Sequence, residues 1–430
     1  MKKLSLMYMR NIESKGIIFC AILSSLCVLS TSSGMYFIST IITLLYAVYA
    51  GSKSADKILV YLALAIPNTR SMEAFGVSGA ILACTVFLFN QIIRKKKLSR
   101  GIFILGLIYL VYSLQFIIRF YDFKIGLIMP IKMVIMLWTL EMVRKSIKKE
   151  YFVMTSILYI TDSMFIGIMF AVIASIISGG NIARLTIVEN DPNMLSIECT
   201  FLLAVYCIAY FERIISIKLF IFYMILLGLL VLMCGSRMGI LLLIILILVS
   251  LFMNINNIKR SLSLIIICIF GVSLFLISKT GQNSIAILKA RNSALALQHN
   301  ISNNRFDLWG EYLTIFNSNK LFWFFGLGSY SYYGIESMAH NFLLEDLSSY
   351  GVIGTLIIYC AYYTEFKGIT KIKNINIYKK LYFYIPFLIP IIGGLTLHGI
   401  SSLPNFIMLF IGTMIICCDK TGGMEVYEFK

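Results

Sequence analysis

The chain has 430 residues, of which 59% are hydrophobic and 13% charged, and its mean hydropathy is +0.88. This excludes an ordinary soluble domain and predicts an all-α polytopic membrane protein. The net charge of +17 does not point to nucleic acid, because the basic residues gather in short runs between apolar segments.

A spanning helix takes roughly 20 apolar residues. Roughly fourteen candidate runs follow in chain order, about 17–32, 35–51, 57–70, 76–93, 101–119, 124–142, 155–178, 194–211, 219–235, 238–254, 262–278, 342–364, 381–398 and 404–418, so about 12–14 spans are expected. The third run is interrupted by Pro67, Asn68, Thr69 and Arg70 and reads as a re-entrant or broken helix. The start, with Lys2, Lys3, Arg10 and Lys15 before an apolar run, resembles a signal peptide. It lacks a small-x-small cleavage site and more spans follow at once, so a retained first helix is expected.

With the N-terminus in the cytoplasm and alternate sides thereafter, four basic runs fall on one face: Arg94 to Lys97, Arg144 to Lys149, Lys259-Arg260, and Lys367 to Lys380. Most of the 37 basic residues lie there. The positive-inside rule therefore predicts that both termini are cytoplasmic. The ten cysteines lie almost wholly inside apolar runs (Cys199, Cys207, Cys268, Cys360). They show neither a disulfide framework nor zinc spacing and read as small core residues.

Most connections on the opposite, external side are short, but 179–193 and 279–341 are long. Long insertions among short connections usually carry function. The chain thus divides into N-terminal transmembrane helices (1–178), a candidate catalytic core (179–364) that includes the external loop 279–341, and C-terminal helices (365–430).

The bases outside the cytoplasmic runs include Arg70, Arg119, Arg184, Arg237, Arg291 and Arg305. A charge at membrane depth costs on the order of 2.5–3.5 kcal/mol on insertion scales. Arg237, in Cys234-Gly235-Ser236-Arg237-Met238-Gly239 between two apolar runs, either snorkels to the outer interface or faces an anionic ligand or internal partner. Arg184 precedes Asp191-Pro192-Asn193, which reads as the capped start of a helix.

Within the long loop, 284–298 suits an amphipathic helix lying on the membrane. Asn304 suits a helix cap, and Trp309 shares a face with Arg305, where its ring could brace the guanidinium. Phe325-Gly326-Leu327-Gly328 predicts a tight turn. The tyrosines that follow, Tyr330, Tyr332 and Tyr333, suit either an interfacial belt or a sugar-stacking surface.

His340 is one of three histidines, with His299 and His398. The apolar run after it makes 339–341 the start of a helix. The partial positive charge of a helix N-terminus disfavours imidazolium, which would leave His340 able to accept a proton. Glu345 or Asp346, about one turn later, could orient it.

Together these features resemble the O-antigen polymerase and ligase family of bacterial membrane glycosyltransferases. The resemblance rests on Arg184 with Asp191-Pro192-Asn193, on Ser236-Arg237 between two spans, and on Arg305-x-x-x-Trp309 in a long external loop. It also rests on Gly326-x-Gly328 leading to His340-Asn341-x-x-Leu344-Glu345, then Gly351 and Gly354. It covers roughly 180–360.

The resemblance implies a membrane-embedded class C glycosyltransferase fold in the bacterial inner membrane, with its active site on the periplasmic side. It implies glycan transfer from an undecaprenyl-diphosphate-linked oligosaccharide, with no nucleotide sugar, metal or other cofactor and no nucleic acid. The partners it implies are the lipid-linked glycan, membrane lipid, a chain-length regulator and a flippase. Carried onto this chain, it assigns Arg237 and Arg305 to the donor diphosphate with Arg184 as a third, and His340 as general base. Trp309, Asn341, Glu345 and Asn193 support them. An in-line displacement would invert the anomeric centre.

The polymerase reading, transfer to another lipid-linked repeat unit, is the primary expectation. Its rivals are a ligase that transfers polymer to lipid A-core and, from another class, a lipid-linked oligosaccharide flippase. A flippase would carry charges along a central cavity and show two related halves. Here the unusual charges cluster externally and no repeat is evident.

Overall fold

With no water in a bilayer core, every backbone amide and carbonyl must be satisfied within the chain, and helices meet that demand locally. The computed structural model describes residues 2–55, 57–146, 154–180, 184–187, 191–253, 266, 269–270, 272–273, 275–297, 305–335, 337–372, 381–395 and 402–416, and these are overwhelmingly helical. Helices α1 (Lys2–Ser32) and α2 (Tyr36–Gly51) come first, then α3 (Ile58–Ala65). The third apolar run is a broken helix: α3 tightens into a 3-10 turn over Ile66–Asn68, as Pro67 requires. A two-residue hairpin then pairs Glu73 with Ser78 and Ala74 with Val77. Then come α4 (Gly79–Ile93), α5 (Arg100–Phe120), a π-helical turn (Lys124–Ile128), α6 (Met129–Ser146), α7 (Met154–Ile177), α8 (Pro192–Phe211), α9 (Ile217–Met233) and α10 (Arg237–Met253).

Among the described residues, six helices are long and apolar enough to cross a membrane. Most of the other expected spans appear as shorter apolar helices of 10–17 residues, and the candidate span 262–278 lies mostly outside the described residues. The protein is an all-α polytopic membrane protein. Burial separates its centre from its rim: 94% of the apolar window of α8 is buried, against 28% for α5. Outward faces stay apolar at Phe37, Val111, Ile118 and Phe252, surface that lipid tolerates and water does not.

Small residues allow close helix crossings. A Cβ on Gly51 would come within 2.6 Å of the Ala83 carbonyl, and one on Gly167 would strike the Leu64 carbonyl. The Asp162 carboxylate accepts from the hydroxyls of Tyr206 at 2.8 Å and Tyr223 at 3.1 Å. Six of the described cysteines are buried, as expected of small core residues, but Cys360 is exposed; Cys268 lies outside the described residues.

The long segment 279–341 is largely helical in its described residues. It contains α11 (Lys279–Leu297), α12 (Arg305–Ser318), α13 (Lys320–Phe325) and a 3-10 turn (Tyr330–Tyr333), and it leads into α14 (Phe342–Ile372). Of the segment 284–298, residues 284–297 are helical and belong to α11, which has no strongly apolar face; residue 298 lies outside the described residues. The loop has a small core of its own in Tyr312, Phe316, Leu327, Ile335 and Ala339. Two short helices close the chain, α15 (Ile385–Gly394) and α16 (Leu403–Ile416).

The loop is pinned where two glycines cross. Gly326 has φ 76° and Gly351 has φ 64°, left-handed values that favour glycine. A Cβ on Gly326 would lie 2.6 Å from the Gly351 amide, and one on Gly351 would strike the Phe324 carbonyl. The Leu327 amide donates to the Ser348 carbonyl at 2.6 Å. The expected turn at Gly326 and Gly328 is present, and Gly351 interrupts α14. On the α5 side, the Tyr112 hydroxyl donates to the Tyr350 carbonyl at 2.5 Å, and the Tyr332 hydroxyl donates to the Asp122 carboxylate.

Candidate active site

Four chain segments meet at one end of the bundle. The first carries Arg184. Its neighbour Leu185 donates its amide to the carbonyl of Met233, the last residue of α9, at 3.0 Å. The Ser175 hydroxyl donates to the Thr186 carbonyl at 2.7 Å. These two bonds hold an otherwise irregular strand of chain in place.

The second segment is the start of α8. Asp191 caps it by accepting from the Asn193 amide at 2.8 Å, and Pro192 fills the first helical position, where its missing N–H costs nothing.

The third is the apex between α9 and α10. Gly235, with φ 59°, makes the turn, and Ser236 accepts from the Gly239 amide at 3.1 Å. Arg237 therefore stands, exposed, in the first turn of α10. A Cβ on Gly239 would sit 2.5 Å from the Ser196 Cβ, so α10 starts in contact with the first turns of α8.

The fourth is the loop itself. Arg305 opens α12. Trp309, one turn on, donates its indole N–H to the Ala339 carbonyl at 2.7 Å, and Tyr312 donates its hydroxyl to the Ser337 carbonyl at 3.1 Å. Trp309 also meets Phe306 edge-to-face at 5.4 Å. These bonds grip the backbone on either side of Met338 and fix the approach to His340. His340 is half-buried with φ 50°, in the left-handed region. A non-glycine residue there is uncommon and costs about 1 kcal/mol or more, a strain that collects at functional sites. Asn341 caps α14 by accepting from the amides of Leu343 and Leu344 at 3.1 and 3.2 Å.

These segments enclose an open cavity of about 900 Å³ lined by Arg184, Asp191, Asn193, Arg305 and His340, with Asp307, Glu311, Tyr333 and Ser337 completing its polar wall. Burial, the neighbouring Arg237 guanidinium and opposing stabilisation by Asp191 act on Arg305, and the net effect holds its pKa below the usual arginine range. Arg237 is thus close enough for its charge to be felt at Arg305. The two cations repel, Asp191 offsets only part of that cost, and a further anion placed between them would remove the rest.

Of the residues predicted to form the site, Arg184, Asn193, Arg305 and His340 line this cavity, and Arg237 stands beside it. Trp309 and Asn341 fix the loop and helix that carry His340. Glu345 lies in the first turn of α14 and faces a neighbouring cavity. Asn304, His299 and His398 lie outside the described residues. Asp307 and Glu311 were missed in the sequence. Asp307 and Glu311 lie four residues apart on one side of α12, a spacing visible in the sequence. Among the described residues, no group of three His, Cys, Asp or Glu is placed to hold a metal ion.

The protein is thus a multi-pass membrane bundle that carries a polar, guanidinium-bearing cavity where these segments meet. A family model described as O-antigen ligase matches residues 222–359. That stretch, about a third of the chain, is similar to the O-antigen ligase family. The matched stretch runs from α9 into α14, and includes Arg237, Arg305, Trp309, His340, Asn341 and Glu345 but not Arg184 or Asn193. No curated protein and no solved structure matches the chain.

Proposed function

We propose that this protein is an O-antigen or related polysaccharide polymerase of the bacterial inner membrane. It moves glycan from undecaprenyl diphosphate to a hydroxyl of another lipid-linked repeat unit at the periplasmic face. The observation that supports this most is the cavity that gathers Arg184, Arg305 and His340, with Arg237 adjacent.

The reaction needs two things. As the bond from the anomeric carbon to the diphosphate oxygen breaks, its electron pair moves onto the diphosphate, and guanidinium forks meet that charge bidentately and stay protonated. Arg305, Arg237 and Arg184 fill this role. The attacking acceptor hydroxyl must lose its proton as its oxygen bonds to the anomeric carbon, and His340 takes that proton. Attack opposite the leaving diphosphate inverts the anomeric centre. Asp191, Asp307 and Glu311 supply acceptors for sugar hydroxyls.

Purified protein in nanodiscs, given lipid-linked repeat units, tests the proposal. Consumption of units into longer lipid-linked chains is expected. Transfer onto lipid A-core with no chain growth would replace polymerase by ligase, and neither product would overturn both.

A further inference from the structure

A second cavity, of about 500 Å³, lies on the other side of the segment that carries His340. Along this segment the chain serves both chambers. Tyr333, Ser337 and His340 line the first, and Tyr330, Met338 and Glu345 line the second. The far wall comes from the N-terminal half, from Arg70, Glu73 and Ser78 around the small hairpin and from Asp122, Lys124 and Lys132 at the junction of α5 and α6. None of these far-wall residues falls within the stretch matched by the family model.

The second chamber sets three cations, Arg70, Lys124 and Lys132, among four carboxylates, Glu73, Asp122, Glu345 and Asp346. Lys132 donates to the Gly76 carbonyl at 2.6 Å and lies near Glu73. Asp122 accepts from the Tyr332 hydroxyl and from the amides of Lys124 and Ile125 at 2.7 and 3.0 Å. Asp346 is 2% exposed and accepts from Tyr359 at 3.2 Å. The chamber therefore offers carboxylates, ammonium groups, serine hydroxyls and tyrosine rings without a net field for an anion. That combination suits a polyhydroxylated chain: carboxylate oxygens accept from sugar hydroxyls, and ring faces pack on sugar C–H surfaces.

Resting on the polymerase reading above, we infer that this second chamber holds the acceptor glycan and presents its attacking hydroxyl across the shared wall to His340. The arginine cavity keeps the donor diphosphate. The two substrates are thus sorted by the groups that meet them, paired guanidinium forks beside His340 for the leaving group, and carboxylates, hydroxyls and tyrosine rings for the sugar.

Two probes separate this inference from the function it rests on: undecaprenyl diphosphate without glycan, and a lipid-free oligosaccharide cut from the host's own surface polysaccharide. Both are titrated against the full-length protein in nanodiscs, the oligosaccharide by saturation-transfer NMR. Glu73→Gln keeps the shape of the wall and Ser329→Trp fills the chamber. Each should weaken oligosaccharide binding about ten-fold or more, the scale of one lost charge-assisted hydrogen bond, and leave undecaprenyl diphosphate binding unchanged. Arg305→Ala should do the reverse. Oligosaccharide binding that survives both chamber variants would overturn the chamber assignment and leave the polymerase reading standing. Binding of neither probe to the unaltered protein would overturn both. Should Ser329→Trp fail to fold, the Glu73→Gln result alone decides.

Discussion

Replacing Arg305 should separate catalysis from stability. Arg305 opens α12, half-buried in the cavity, with Arg237 close enough to lower its pKa. Its fork can place two charge-assisted hydrogen bonds on a diphosphate, each worth about 1.5–3 kcal/mol. Losing both from the transition state costs about 3–6 kcal/mol, or roughly 10²–10⁴ in kcat/KM. Lysine keeps the charge and loses the fork, so Arg305→Lys should fall about 10–100-fold below the unaltered protein. Folding should respond in the opposite direction. Burial and repulsion by Arg237 outweigh the stabilisation of the Arg305 charge by Asp191, so Arg305→Ala should melt no lower than the unaltered protein. The assay is polymer formation from lipid-linked repeat units, with a thermal midpoint recorded on the same sample. Unchanged turnover in Arg305→Ala would refute the diphosphate role. A midpoint several degrees lower would show that Arg305 holds the loop together instead.

Three further outcomes are expected. His340→Asn keeps a residue that tolerates the left-handed backbone but removes the base, so turnover should fall about 10²–10⁴-fold while undecaprenyl diphosphate still binds; loss of donor binding would make His340 a binding residue. Gly351→Ala adds a Cβ where φ is 64° and where it would strike the Phe324 carbonyl; it should destabilise by about 1–3 kcal/mol, read as a lower thermal midpoint. Burial raises the Asp122 carboxyl, but the Tyr332 hydroxyl, the Ile125 and Lys124 amides and the Lys124 charge outweigh it and hold its pKa below the ordinary value of 3.8. Its contribution to stability should be complete above that ordinary value and disappear as pH falls through the lower folded one. The difference in midpoint between Asp122→Asn and the unaltered protein should therefore shrink as the pH is lowered from 6 to 3, and a constant difference would disprove the linkage.

Helix positions were legible because apolar runs bounded by basic clusters leave few alternatives in a bilayer. Even the break at Pro67 is written in the residues around it. The cap at Asp191-Pro192-Asn193 and the glycine turn at Gly326 were equally local. Contacts between segments distant in sequence were not legible. The indole N–H of Trp309 reaches Ala339, thirty residues on, a contact that no local pattern announces. Glu345 was expected near His340, and its place in the lining of the second chamber depends on packing that no local pattern shows. The wall contributed by Arg70, Asp122 and Lys132 could not be seen from the motifs, since it depends on how the first six helices pack.

Trp309 and Tyr312 hold the histidine segment by its main-chain oxygens. Such a latch ignores the side chains of the residues it grips, so the half-exposed Ser337 is free to change identity without disturbing the aim of the imidazole. The identities of Trp309 and Tyr312 are not free in that way. The cavity wall at Ser337 can therefore vary while the backbone that carries His340 stays where Trp309 and Tyr312 hold it.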